Sequence, residues 1–215
     1  MRRIILVLII FSITFAQSPA YASSAASSDS GGDLLDEVFK DRWKLTRTNR
    51  RYLNEGVPIV KSVVTSRGKK KLKKQSMKFN VAAIHTRPCS PVLEKLSIYE
   101  KYYEYMSFIS KSMYSEKTNT IYFYMESALL PFPMSLKFKI PRISKVGKYP
   151  FELTHGIFKN LKGVIEVYNH GRKCLFYTHA HWSGIHTGIP NLIIEMFSET
   201  LTRKSFEKLF RISKF

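Results

Sequence analysis

Cysteine is scarce in this chain. Cys89 and Cys174 are the two thiols among 215 residues, and they do not form a CxxC pair. No glycine-rich phosphate loop, Ser-His-Asp pattern or paired acidic motif stands out either, which argues against hydrolase or nucleotide chemistry. Acidic side chains are few: 16 Asp plus Glu stand against 35 Lys plus Arg, for a formal charge of +19. The apolar run from Ile4 to Ala16 is only about 13 residues long, too short to cross a bilayer.

That run has another reading. Arg2 and Arg3 precede it, and Ala20 and Ala22 follow it as small residues at alternate positions. This is the layout of a signal peptide, with cleavage expected after Ala22 and the mature protein expected in the periplasm. An uncleaved anchor is the alternative. No cysteine stands near the cleavage position, which argues against a lipid anchor. Residues 23–32 are Ser, Ala and Gly with one Asp, a flexible tether. The length suits one domain with a sizeable core.

The positive charge is uneven. Lys40 to Lys78 holds 14 Lys or Arg against Asp41 and Glu55, hence +12; Phe79 to the end holds 19 against 10, hence +9 over a longer span. Such runs serve nucleic acid, anionic lipid or a solvated face. Export argues against nucleic acid. Lys69, Lys70, Lys71, Lys73 and Lys74 are the candidate membrane-docking residues, a peripheral contact with anionic lipid, and a solvated basic face is the alternative.

Asp33 to Lys44 predicts a short amphipathic helix through Leu34, Leu35, Val38, Phe39 and Trp43. Residues 59–66 and 75–87 predict a hairpin with the lysines at its tip. Ser90-Pro91 reads as a helix start, a capping hydroxyl followed by proline at the first helical position. Strands are predicted at 108–115, 120–129, 134–140, 151–159, 164–169 and 174–182. Met134, Leu136, Phe138 and Ile140 alternate with Ser135, Lys137 and Lys139, a one-sided strand. His170-Gly171-Arg172 reads as a turn, and 191–213 as a long terminal helix. An antiparallel meander with one apolar face must be covered. The terminal helix is the element long enough to do so, and a curved sheet wrapped around it leaves room for a ligand.

Several pieces, in order, resemble the START-related or SRPBCC helix-grip superfamily, and within it the polyketide cyclase and coenzyme-Q-binding START-type group. They are Ser90-Pro91-Val92-Leu93-Glu94-Lys95-Leu96 after a strand, the tyrosine-rich turn Tyr99 to Phe108, Leu130-Pro131-Phe132-Pro133-Met134, Gly156 with Gly163, and Ile189-Pro190 before the last helix. Tyr103 and Ser107 stand where the family usually has proline. The resemblance covers roughly 79–211. It implies an α+β fold, a curved antiparallel sheet around a long C-terminal helix, with a cavity for a lipid, quinone, polyketide or other apolar ligand. The division expected is signal peptide 1–22, tether 23–32, basic segment 33–78 with a short helix and the first hairpin strand, and START-like domain 79–213.

Phe123, Met134, Leu136, Phe138, Phe197 and Leu201 are the candidate cavity wall, with solid packing as the plain alternative. His179, His181 and His186 could hold a metal or act as acid or base, but they lack carboxylate or thiolate companions. No metal, cofactor or catalytic residue is assigned. The tyrosines Tyr99, Tyr102, Tyr103 and Tyr105 gate the cavity, sit at a membrane interface or simply pack. The helix-grip pairing of first and last strands would bring Cys89 to Cys174. A disulfide there would close a loop of about 85 residues and contribute roughly 4 kcal/mol in a chain-entropy account; two buried thiols are the alternative. The leading expectation is an exported binder of a hydrophobic molecule. A cyclase or aromatase using a cavity His or Tyr, and a protein-interaction module, are the alternatives.

Overall fold

The structure is a computed structural model, and it describes residues 34–68, 73–126 and 133–214. The signal peptide, the tether, Lys69, Lys70, Lys71 and the Leu130-Pro131-Phe132 piece lie outside the described residues. So do residues 127–129 of the strand expected to run through 129.

The elements run α1 (Leu34–Phe39), α2 (Arg47–Asn54), β1 (Ile59–Arg67), β2 (Lys74–His85), α3 (Cys89–Leu96), a 3₁₀ turn (Tyr99–Lys101), α4 (Tyr102–Tyr105), β3 (Ile109–Ser115), β4 (Thr120–Met125), β5 (Met134–Lys139), β6 (Gly147–His155), β7 (Lys162–His170), β8 (Lys173–Ile185) and α5 (Asn191–Ile212). The eight strands form one antiparallel sheet in the order β1-β2-β8-β7-β6-β5-β4-β3. The first long strand therefore pairs with the last, Met77 opposite Trp182 and His85 opposite Cys174. The protein is α+β with a curved sheet and a C-terminal helix, the helix-grip arrangement.

The helix expected at 33–44 is α1, shorter than the pattern suggests, and a second helix, α2, follows beyond it without an apolar stripe to announce it: its sequence is RTNRRYLN. Its start is set locally by Thr46, whose hydroxyl accepts a hydrogen bond from the Asn49 amide at 3.1 Å. α3 begins two residues earlier than expected. Pro88 holds the cap position, Ser90 makes no capping bond, and Pro91 sits inside the first turn, where a missing N–H costs no intrahelical bond. The expected boundary between Lys78 and Phe79 falls inside β2, so the basic segment and the remaining strands share one sheet.

The two faces of the sheet carry different cores. On the outer face, Leu35, Val38, Phe39 and Leu53 of α1 and α2 bury Ala82, Ile84, Leu175 and Tyr177. On the inner face, Met77, Val64, Ala180 and Trp182 meet Ile194 of α5, and Ala83, Cys174 and Phe176 meet α3 and Phe210 of α5. Where both layers are present, residues 174–178 of β8 are all buried; beyond the outer helices the same strand alternates between buried and exposed. The period-2 pattern of a strand emerges only where one face meets water.

Candidate functional site

The inner face of the strands and the facing side of α5 form an apolar groove. Met134 is buried with Met106, Phe108, Ile109 and Met125, and Phe123, Leu136, Phe197 and Leu201 pack against that cluster. Phe138 lies further along the same face, against the neighbouring clusters. Five of the six expected wall residues thus meet at this cluster, and Phe138 adjoins it through Phe123.

A row of aromatic rings crosses this face. Tyr102 stacks on Phe123 at 6.0 Å, Phe123 meets Phe138 edge-on at 6.0 Å, and Phe138 leans on Phe151 at 6.4 Å. Gly163 makes room for the end of the row, since a Cβ there would stand 2.7 Å from the Phe151 ring and 2.5 Å from the His179 carbonyl. The rings occupy much of the hollow expected from the curved sheet. The void bounded by Met134, Ile157, Phe158, Ile189, Ile193, Ile194 and Phe197 holds about 20 Å³, room for a water molecule and far below the hundreds of Å³ of a drug-sized site. Yet the wall is not packed solid. Phe79, Phe123, Leu136, Phe138, Phe151, Phe197, Leu201 and Leu209 are each only half-buried, whereas a close-packed interior would cover them.

The cause is the position of α5. Among the strands, β1 is the one its backbone runs against. Glu199 accepts a hydrogen bond from the Ser62 amide at 2.7 Å, and Glu195 one from the Val64 amide at 2.6 Å. Asn191 accepts from Ser66 and from Gln75, both at 2.8 Å. The edge strand would otherwise present free N–H groups, and two glutamates of the helix occupy them. α5 is thereby drawn toward β1, and the rings of β4, β5 and β6 are left under partial cover.

The far end of the groove is closed. Cys89 and Cys174 are joined, with S–S 2.03 Å and Cα–Cα 4.7 Å. His85 is buried; its Nε2 lies 3.1 Å from the Ser213 hydroxyl and 3.3 Å from the Phe210 carbonyl. Burial holds the imidazole below its ordinary pKa. Tyr99 and Tyr102 turn inward, where burial raises both phenols. The Tyr102 hydroxyl donates to the Leu96 carbonyl at 2.7 Å. Tyr103 is exposed, and Tyr105 packs at the edge of the Met106 cluster.

The histidine trio does not converge on the groove. His179 and His181 alternate with Ala180 and Trp182, so they lie on the outer face. His186 lies in the β8–α5 loop, its Nδ1 accepting from the Gly188 amide at 3.0 Å. Among the described residues, no three His, Cys, Asp or Glu side chains are grouped to hold a metal. Lys73 and Lys74 are exposed at the start of β2.

One polar cluster was not foreseen. Glu166 of β7 is fully buried on the outer face, 2.6 Å from Arg42, 3.5 Å from Lys148 and 3.7 Å from His179 Nδ1, and Tyr168 donates to it. Burial pushes the carboxyl up, but the Tyr168 hydrogen bond and the two cations outweigh it and hold the group below the usual carboxylate range. His179 is held low by burial, against the pull of Glu166. The cluster fastens the segment after α1 to the sheet. A lone acid in Val-Ile-Glu-Val-Tyr was the visible signal, since period 2 sets Glu166 opposite Ile165 and Val167.

No family model matches the sequence, and no curated protein matches it. Solved structures do resemble the fold. A conserved protein from Geobacillus kaustophilus superposes with a TM-score of 0.53 at 12% identity, over 64% of this chain and 95% of that one. The Zhui aromatase/cyclase from Streptomyces sp. R1128 gives 0.52 at 8%, over 65% and 94%. Ara h 8.0201 gives 0.51 at 8%, over 64% and 97%. The chain shares the fold of these structures, a curved antiparallel sheet with a long C-terminal helix. At these identities the likeness speaks of fold, not activity.

Proposed function

We propose that this protein is an exported, START-like carrier that takes a hydrophobic or lipid-like molecule between the inner face of its sheet and α5. The observation that carries the reading is the half-covered apolar wall: Phe123, Leu136, Phe138 and Phe151 face a helix that leans toward β1 instead of sealing them. Apolar area removed from water is worth about 25 cal/mol per Å², so covering several such rings with an acyl or isoprenoid chain gives several kcal/mol before the costs of association. The small void means that entry requires the first half of α5 to move outward. The disulfide supports export, since such bonds persist in oxidising compartments; cleavage after Ala22 and a periplasmic location are part of the proposal.

Native mass spectrometry of the exported protein, followed by lipid analysis of what it carries, is the direct test. A bound apolar molecule of defined mass is expected, together with uptake of fluorescent acyl probes that Leu136→Trp reduces at least tenfold by filling the groove. Protein that carries no such molecule and takes up no probe would count against the reading. The cyclase alternative needs an acid or base in the groove. His179, His181 and His186 are placed elsewhere, His85 at the closed end is engaged by Ser213 and the Phe210 carbonyl, and Tyr102 is already bonded to Leu96.

A further inference from the structure

The loops β1–β2, β6–β7 and β8–α5 gather at one end of the sheet, as the register requires: Arg67 pairs with Lys74, Lys74 with Ile185, and Lys162 with His181. The His186 amide also donates to the Lys73 carbonyl at 3.1 Å, tying the β8–α5 loop to the start of β2. Among the described residues, four of the exposed large apolar side chains gather at this end. Ile185 is 81% exposed, Leu192 63%, Met196 58% and Ile193 49%. The first two turns of α5 are polar only on the side that Asn191 and Glu195 turn to β1 and β2: Ile194 faces the core, while Leu192, Ile193 and Met196 face out. A helix turn that is apolar on its solvent side suits a medium other than water.

The charges around it are positive. Arg67, Lys73, Lys74 and Lys159 are exposed at this end. Of the acids there, Glu195 and Glu199 are turned onto the backbone of β1, Glu152 pairs with Lys162, and Glu126 is exposed at the end of β4. Apolar side chains ringed by cations match the interface of an anionic bilayer, in which the hydrocarbon edge takes the former and phosphate headgroups the latter. Among the described residues no helix is long and apolar enough to cross a membrane, so the contact would be peripheral.

We infer that this end is a docking face for anionic phospholipid membrane, with Leu192, Ile193 and Met196 of α5 and Ile185 of β8 entering the interface and Arg67, Lys73, Lys74 and Lys159 facing the headgroups. The inference stands on the surface alone and does not require the groove to be occupied. It places the contact on the half-helix that lines the small void, so that one element would meet both membrane and ligand.

Cosedimentation of the purified protein with vesicles tests it. Binding is expected to phosphatidylcholine vesicles containing phosphatidylglycerol and not to phosphatidylcholine alone. Lys73→Gln and Lys74→Gln should each weaken binding roughly fivefold at low salt. Leu192→Ser with Ile193→Ser and Met196→Ser should abolish it, while Met113→Ser, 57% exposed on β3, should leave it unchanged. All variants are compared at equal thermal stability. Equal binding to both vesicle types would overturn the inference, as would full binding by the triple variant. So would a patch that instead joins two copies of the chain or holds a protein partner, with no affinity for vesicles. Acyl-probe uptake measured without vesicles reports the groove separately, so either idea can fail alone.

Discussion

The two ends of α5 are held by different forces. At its C-terminal end, Phe210 is buried among Phe176, Phe206 and His85. Ser213 bonds to His85, and the Arg87 guanidinium donates to the Lys214 carbonyl at 2.7 Å. The Cys89–Cys174 bridge lies in the same cluster. At its N-terminal end the helix buries Ile194, rests Phe197 on the Met134 cluster, and is fastened by polar bonds, Glu195 and Glu199 to β1 and Asn191 to Ser66 and Gln75. Lifting the first end would expose aromatic core. Lifting the second uncovers Ile194 and the half-buried Phe197 and breaks a few hydrogen bonds that water can replace, each worth about 1 kcal/mol net, or somewhat more where the partner is charged. A helix built this way opens from one end, and the fixed end keeps the fold intact while it does so.

Removing the bridge is the largest blow to the fixed end. Cys89→Ala with Cys174→Ala should cost roughly 4 kcal/mol, lowering the thermal midpoint by about 8–16 °C for a domain of this size. Probe uptake below the new midpoint should persist. A melt unchanged by reduction would show that this end is held by packing alone.

How much of this was legible beforehand depended on water. β5 announced itself because one of its faces is wet, and Met134, Leu136 and Phe138 were assigned to a single side on that ground. β8 was readable as a strand, but its first half is buried on both faces and gave no hint of which residues look inward. The sequence around His179 and His181 therefore carries no sign of which face they take. The position of α5 was hidden for a different reason. Glu195 and Glu199 reach backbone amides on β1 more than a hundred residues earlier, and amides carry no sequence signature. The size of the void was illegible too, since it depends on how Met134, Phe158 and Phe197 of β5, the β6–β7 loop and α5 meet in space.

Glu166 sharpens the comparison from the outer face. Glu166→Gln leaves Arg42 beside a neutral amide. It should cost about 2 kcal/mol in urea unfolding, below the usual penalty for a broken buried pair because Arg42 and Lys148 are partly exposed. The carboxyl is held low in the folded state, so its contribution is present above pH ~4.3 and lost as pH falls below that. The variant should lose that part of the acid dependence. An unaltered acid profile would mean that the cluster is solvated.

The clasp at the mobile end should be weaker still. Glu195→Ala and Glu199→Ala should each cost about 1–2 kcal/mol. Their informative effect is local: the Ser62 and Val64 amides and the first half of α5 should exchange hydrogen faster, while residues near Phe210 should not. Probe entry should speed up in the same variants. Faster exchange along the whole helix would refute a one-ended opening.

The smallest effect belongs to His85, and its sign is fixed by burial. The imidazole is held below its ordinary pKa, with desolvation and the nearby Lys214 and Arg87 charges outweighing its backbone partners. Below pH ~6.5 the unfolded chain takes up a proton that the folded chain refuses, so stability present above that value declines by at most about 1.4 kcal/mol per pH unit and levels off once the folded imidazole is protonated. His179 is also held low by burial, so its contribution too declines below the ordinary imidazole value, whereas Glu166 acts at lower pH. Urea midpoints between pH 5 and 7 should therefore fall less steeply in His85→Gln, and His179→Gln supplies the control. If the loss in wild type reflects the fixed end, hydrogen exchange at pH 5 should quicken around Phe210 and Ser213 before it changes at Ile194. The reverse order would place the acid-sensitive point at the clasp.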